Sequence, residues 1–393
     1  MLRSFFVWAS AVTLSAGTLR AQPARDSIAL PDIPGFHTLK GDLHLHTVFS
    51  DGSVWPTFRV FEARRDGLDF IALTDHTDYQ GSPETVTGDL NTAYDLAAAS
   101  AKGSKLIVIK GAEISPRTPP YHSNALFLRD ASAIPSGYML ETKGKFVMKE
   151  HPSHDELMAP FIEAKKQGAF ITYNHPAYVY DWDPKYIGTD LFTAFHREML
   201  KNGMLHGIEI VNSNRYYKPA HRIAMENNLT MVAGSDEHSD IATTYPDGHR
   251  LMTLVFAKEI SADGIREALF ARRTAVYFRD LVIGRKAELE PFFKAALTVT
   301  TEQSKRLNEP IVLVHIRNSS DIPFALRFGG RYEIDNLPLG RITLAPRGIT
   351  TIALRTLWES PAEISIEATV ENLLTGPDES LETTLRVRPA WKQ

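Results

Sequence analysis

The run Gly41-Asp42-Leu43-His44-Leu45-His46-Thr47, followed by Ser50-Asp51-Gly52, sets two imidazoles two positions apart with a carboxylate just beyond. On a strand, alternate side chains share a face, so His44 and His46 stand side by side while Leu43 and Leu45 point away. The Ser-Asp-Gly turn brings Asp51 back over that strand. Related residues recur at the ends of apolar runs: Asp69–Leu73 leads into Thr74-Asp75-His76, and Leu106–Ile109 into Glu113. His122 precedes the run at Ala125, Ala169–Tyr173 leads into Asn174-His175-Pro176, and Met231–Ala233 into Asp236 and His238. A lone histidine or a lone His-x-His is more often packing or surface. Ligand-type residues at the ends of at least five strands are not what packing produces, because polar groups at the C-terminal ends of barrel strands converge on one site.

Imidazole and carboxylate together suit zinc, manganese or iron, and a carboxylate such as Glu113 can bridge two ions. The chain has no Cys, so thiolates are excluded both as ligands and as nucleophiles. Two cations roughly 3.5–4 Å apart can share a hydroxide nucleophile and neutralise charge on a phosphoryl oxygen. Asp75 and Asn174, each beside a histidine, are candidates for orienting those rings.

Elements that position these groups can be read on either side of them. From Thr38 to about Arg279, short apolar runs alternate with helical patterns at Thr57–Arg65, Asp155–Lys166, Tyr217–Asn227 and Asp263–Arg272. Such alternation predicts a parallel α/β sheet or barrel with helices outside. From Ala287 the texture becomes β-branched runs between Asn/Ser/Pro/Gly turns, with no long amphipathic helix, which predicts an all-β sandwich. The expected organisation is therefore residues 22–285 as catalytic unit and 286–393 as β-sandwich. Residues 1–21, with Arg3 ahead of the apolar stretch Phe5–Ala16, read as an export signal cleaved after Ala21, giving a periplasmic or secreted protein with no membrane attachment after cleavage. A composition of 43% apolar and 23% charged residues supports a large core, and a net charge of −4 supplies no field for nucleic acid.

The His44/His46 pair, Asp51, Thr74-Asp75-His76, Glu113, His122, Asn174-His175-Pro176 and Asp236/His238, in this order over Lys40–Tyr277, resemble the polymerase-and-histidinol-phosphatase (PHP) superfamily. The resemblance implies a distorted (β/α)7 barrel with two or three divalent cations. It implies one cation on His44, His46, Glu113 and Asp236, a second on the bridging Glu113 with His122 and His175, and a third on Asp51, His76 and His238. Many members carry His where this chain has Asp51. The export signal, the barrel, the stretch Ala275–Gly284 and the following β-domain resemble the secreted organophosphate phosphodiesterases of the Sb-PDE group, which implies manganese and a phosphodiester substrate cleaved by a metal-bridged hydroxide.

Phosphate-facing cations are sparse. Arg215, just after the Gly207–Val211 run, is the best placed, ahead of Lys110 and Arg117. Tyr79 and Tyr121 are candidates for lining the pocket, and Pro116–His154 for a rim or lid. His122 or His175 is a candidate proton donor where it is not a ligand. The remaining histidines have no strand-end address and read as surface or satisfied core residues. A small-molecule phosphate ester is the expected partner. Two alternatives stand beside the diesterase: a phosphomonoesterase of the same superfamily, which calls for more converging Lys and Arg, and an exported binding protein with a structural metal, which calls for fewer ligands.

Overall fold

The computed structural model describes residues 27–81, 84–142, 145–176, 178, 188–337, 339–356 and 359–389. The expected export signal lies outside the described residues. Strands His37–Asp42, Phe70–Leu73 and Ile107–Ile114 pair side by side in parallel. Ser123–Leu126 then runs antiparallel between Ile107–Ile114 and Phe170–Tyr173, after which Gly207–Asn212 and Thr230–Gly234 follow in parallel. Continuous βα alternation thus gives way at Ser123–Leu126, inside the segment expected to be a rim. That same segment carries a hairpin, Met139–Thr142 with Lys145–Met148.

The ring closes where the chain beyond the first strand meets the chain beyond Thr230–Gly234. Leu45 bridges Glu237, His46 N donates to Glu237 O (3.1 Å) and Asp236 N to His44 O (3.0 Å). Threonine hydroxyls seal the neighbouring gap: Thr253 Oγ1 bonds both Ala233 N and Ala233 O, and Thr274 Oγ1 donates to Met231 O. Met252–Ala257, Thr274–Phe278 and Leu281–Gly284 extend the sheet antiparallel from the first strand. These three strands are a second departure from an all-parallel sheet.

The strands are buried on both faces, so their side chains divide by alternation. Phe70, Ile109, Leu126, Phe170 and Val232 join one apolar cluster, with Ile265, Ala268 and Leu269 of helix Ala262–Phe270 closing its base. Ile71, Ala112, Ala125, Ile171 and Met231 join the larger cluster shared with the other helices. Helix His154–Lys166 begins with a full capping box, Ser153 with Glu156. Helix Leu90–Ala101 was not foreseen because it is alanine-rich and lacks a strong apolar stripe, although alanine is itself the best helix former.

Past the ring, Leu297–Arg306, Glu309–Asn318 and Ile349–Arg355 form one antiparallel sheet. Phe324–Gly329, Arg341–Leu344, Ile364–Gly376 and Glu379–Val387 form the facing one. Alternate residues such as Val312, Val314, Leu326 and Val370 meet between them. Two features bind this sandwich to the ring. Leu281–Gly284 pairs in parallel with Ile364–Gly376, and helix Lys286–Ala296 sets Phe292 6.1 Å from Phe256 and Phe293 5.1 Å from Phe324. That helix corrects the expectation of a helix-free region: its apolar residues come in pairs, and Pro291 masks the periodicity.

Candidate metal centre

The first strand ends at Asp42, so His44 and His46 lie on extended chain just past it rather than within it. Glu113, expected after a strand, lies inside Ile107–Ile114. Parallel strands deliver His76, His175, Asp236 and His238 from their C-terminal ends. The antiparallel strand delivers His122 from its start, which falls at the same end of the ring.

There the side chains meet. His44 Nε2 and His46 Nε2 are 3.1 Å apart, and Asp236 Oδ1 lies 3.2 Å and 3.1 Å from them. Glu113 Oε1 is 3.3 Å from His44 Nε2, 3.3 Å from His122 Nδ1 and 3.5 Å from His175 Nε2. Asp51 sits between His238 Nε2 (3.2 Å) and His76 Nε2 (3.5 Å). Their donor atoms fall into three overlapping groups, each within 4.8 Å: His46, Asp51, His76 and His238; His44, Glu113 and His175; and His44, His46 and Asp236. His46 thus also groups with the Asp51 set, and His122 touches Glu113 from a more exposed position (27%).

Three observations fit this cluster to divalent cations. Two imidazole nitrogens 3.1 Å apart match adjacent ligands on one ion, since bonds of about 2.1 Å at right or tetrahedral angles separate them by roughly 3.0–3.4 Å. Glu113 Oε2 is buried and accepts no hydrogen bond, although His76 Nδ1 is 2.9 Å away; that nitrogen is bonded to Ser115 Oγ at 2.8 Å. The charge states also suit ligation. Burial would raise Glu113, but His44, His122 and His76 hold it well below the usual carboxylate range. Burial would likewise raise Asp236, but His44 and His46 hold it low. Burial and the neighbouring His76 push His46 down to about 3. These acids are ionised and this imidazole is neutral. Against burial, the acids hold His44, His76, His175 and His238 above their ordinary value, so those four rings release a proton when a cation takes its place.

The groups behind the ligands fix their orientation. Glu209, missed by sequence reasoning, accepts from His44 Nδ1 (2.8 Å), from His175 N (2.9 Å) and from Asn212 Nδ2 (2.8 Å). The available signal was a lone acid in Gly-Ile-Glu-Ile-Val-Asn, a strand buried at every position. Gly234 is required beside it: a Cβ there would stand 2.2 Å from Glu209 Oε1 and 2.4 Å from His44 Cβ. His238 Nδ1 donates to Asp236 O (2.8 Å). Asp75 and Asn174 steady different neighbours from those expected. Asp75 accepts from Thr47 N (2.6 Å) and Ser50 Oγ (2.7 Å) behind His46, and Asn174 Nδ2 donates to Glu113 Oε1 (2.8 Å). His175 (φ 28°) and Asp236 (φ 56°) hold left-handed backbone, rare for such residues and concentrated at functional sites.

Arg215 stands exposed on the hairpin strand Arg215–Tyr216, its guanidinium 5.5 Å from the Tyr217 ring, and is not one of the side chains gathered in the buried cluster. Lys110 turns to Asn91 Oδ1 (3.1 Å) and Arg117 is exposed. Tyr121 stacks on His196 at 6.4 Å.

A ring of strands carrying imidazoles and carboxylates at one end, behind which a β-sandwich is docked, defines a two-domain, metal-binding α/β protein. A solved structure from Bacteroides vulgatus, described as a two-domain protein containing a predicted PHP-like metal-dependent phosphoesterase, is 36% identical, matches over 93% of this chain and 100% of its own, and superposes with a TM-score of 0.78. The chain belongs to the PHP superfamily. Residues 297–386 match a family described as an Ig-like domain. A protein from Bifidobacterium adolescentis, provisionally assigned as a metal-dependent phosphoesterase, is 18% identical over 59% of this chain and 96% of its own (TM-score 0.39). An amidohydrolase from Chromobacterium violaceum, with bound sulfate and no metal, is 18% identical over 61% and 97% (TM-score 0.35). No curated protein matches.

Proposed function

We propose that this protein is an exported, manganese-dependent hydrolase of phosphodiesters. Metal-dependent phosphoester hydrolysis follows from membership of the superfamily and from the donor set. The diester preference rests on one observation. Among the described residues, every ion-pair partner of Asp51, Glu113 and Asp236 is a histidine, and no Lys or Arg joins them. A dianionic monoester calls for fixed cations beyond the metals, whereas a monoanionic diester does not.

His44, His46, Glu113, His175 and Asp236 would hold cations on the inner side, and Asp51, His76 and His238 on the outer. Bound there, divalent cations supply Lewis acidity and a water acidic enough to attack near neutral pH. Glu209 keeps the His44 ring turned so that Nε2 faces inward. Asn174 holds Glu113 Oε1 in place. Exposed Arg215, at the tip of its hairpin, is the candidate for a phosphate oxygen, and His122, the more accessible imidazole beside Glu113, for returning a proton to the departing oxygen.

The test is to strip the protein of metal, reload it with manganese, zinc or iron, and assay matched phosphate mono- and diesters with elemental analysis of the same samples. Turnover of the diester above the monoester, greatest with manganese, is expected. Preference for the monoester would discard the diesterase reading.

A further inference from the structure

Asp75, expected to steady the His76 ring, turns instead to Thr47 and Ser50, and the ring is held from another direction. The parallel pairing of Phe70–Leu73 with Ile107–Ile114 runs on past the end of the first of these strands. His76 and Glu113 form a bridge, Thr77 N donates to Glu113 O (2.9 Å), and Glu113 N donates to Asp75 O (3.0 Å). Alternation puts Ser115 on the face of Glu113, and Asp78, two positions beyond His76, meets it there. Both are buried. His76 Nδ1 lies 2.8 Å from Ser115 Oγ, and Ser115 Oγ donates to Asp78 Oδ1 (2.5 Å). Tyr138, fully buried, closes the group: its Oη accepts from Ser115 N (3.3 Å), and burial, with Asp78 beside it, holds its hydroxyl well above the ordinary value. A buried acid without a cation of its own is costly. Among the described residues no Lys or Arg pairs with Asp78, and the imidazoles of His76 and His122 are the positive groups that act on it.

These contacts have a direction. A carboxylate has no hydrogen to give, so the single hydroxyl hydrogen of Ser115 goes to Asp78. The Ser115 oxygen is left to accept, and the donor in reach is His76 Nδ1–H. We propose that Ser115 and Asp78 are positioning residues that keep the His76 proton on Nδ1 and leave Nε2, which faces Asp51 at 3.5 Å, for the outer cation. This rests on the cluster holding divalent cations, and not on which phosphate ester is cleaved. The same relay keeps Glu113 open. Its Oε2 is 2.9 Å from His76 Nδ1 and accepts no hydrogen bond. Ser115, polarised by Asp78, takes the proton that would otherwise occupy that oxygen. One serine thus frees two ligand atoms, His76 Nε2 on the outer side and Glu113 Oε2 on the inner.

Chelator competition, followed by elemental analysis, tests this apart from hydrolysis. Manganese-loaded Ser115→Ala is expected to give up its most weakly held ion to a chelator about 10–100-fold weaker than the wild type requires, with its circular dichroism spectrum unchanged. Asp78→Asn keeps the volume but lets an amide donate to Ser115 and reverse the relay, so it is expected to weaken the same ion in the same direction. Zinc, a closed-shell ion, permits a second readout by nuclear magnetic resonance of protein carrying 15N-labelled histidine. In Ser115→Ala the Nδ1 proton of His76 is expected to move downfield, as it turns from a hydroxyl to the Glu113 carboxylate. A serine that served only packing would lower Tm and leave both the ion and that proton where they are. Wild-type chelator curves in both variants, or an unmoved Nδ1 proton, would overturn the relay alone. A wild type that takes up no ion would overturn it together with the metal reading.

Discussion

Two buried charge clusters begin two residues apart, at Asp42 and at His44, and they are built on opposite plans. Asp42 is paired with Arg250, which also approaches Asp66 (3.6 Å), while Arg59 pairs with Glu62 (2.8 Å) and donates to His46 O, Glu237 O and Ser239 O. Both arginines are fully buried. Here the positive charge is permanent and belongs to the chain, so the network clamps the closure of the ring. From His44 onward, among the described residues, the ion-pair partners of Asp51, Glu113 and Asp236 are all imidazoles, whose charge depends on a proton. Burial would lower His44, but Asp236, Glu209 and Glu113 hold it well above its ordinary value. That cluster keeps its place for positive charge exchangeable, which is what a metal site needs and a clamp does not.

Breaking each cluster should have a different signature. Glu113→Ala removes the acid shared by most of the imidazoles. Turnover is expected to fall by roughly 10²–10³-fold or more, with metal content reduced by elemental analysis and folding retained by circular dichroism. Full turnover in this variant would contradict the shared role of Glu113. Arg250→Met leaves Asp42 buried without its counter-charge. Unfolding free energy from denaturant titration is expected to drop by about 3–5 kcal/mol, while the metal-to-protein ratio of the folded fraction stays at the wild-type value. A loss of metal without loss of stability would reverse the two assignments.

Glu209→Gln sharpens the comparison from inside the metal cluster. It keeps the volume and the contact with His44 Nδ1 but removes the charge that makes the imidazole a better ligand. Metal affinity is expected to weaken about 10–100-fold, as changes behind a ligand typically do, measured by competition with a chelator. An unchanged affinity would reduce Glu209 to a packing residue.

Much of this was legible from local sequence. Apolar runs that stop at His, Asp or Glu announce both a strand and its product, and the β-branched runs after Ala287 announced the sandwich. What was hidden depended on distant partners. Ser123–Leu126 reads like any short strand, and its reversed direction is set by pairing with Ile107–Ile114 and Phe170–Tyr173. Arg59 sits in a helix whose sequence looks solvated, yet its guanidinium is buried against backbone carbonyls from two distant segments. Glu209 was hidden for a related reason: alternation in a fully buried strand does not distinguish a residue facing helices from one facing the site.

A third environment for imidazole completes the comparison. His221 is buried, is bonded through Nδ1 to Tyr216 Oη (2.8 Å), and forms no ion pair with an acid among the described residues. Burial, reinforced by Arg285, pushes it down to about 4. Its folded form is therefore neutral where the unfolded chain, near 6.5, takes up a proton. The stability it allows is fully present above about pH 6.5 and is lost progressively as pH falls toward 4. At about 1.4 kcal/mol per pH unit, this one group should cost roughly 1–2 kcal/mol by pH 5. His221→Gln is expected to flatten the fall of Tm between pH 6.5 and 5 without changing metal affinity, because the side chain lies outside the cluster. Identical pH slopes in the variant and the wild type would place the acid sensitivity elsewhere, at His196 and His206, which burial likewise pushes down to about 4, or in the metal cluster.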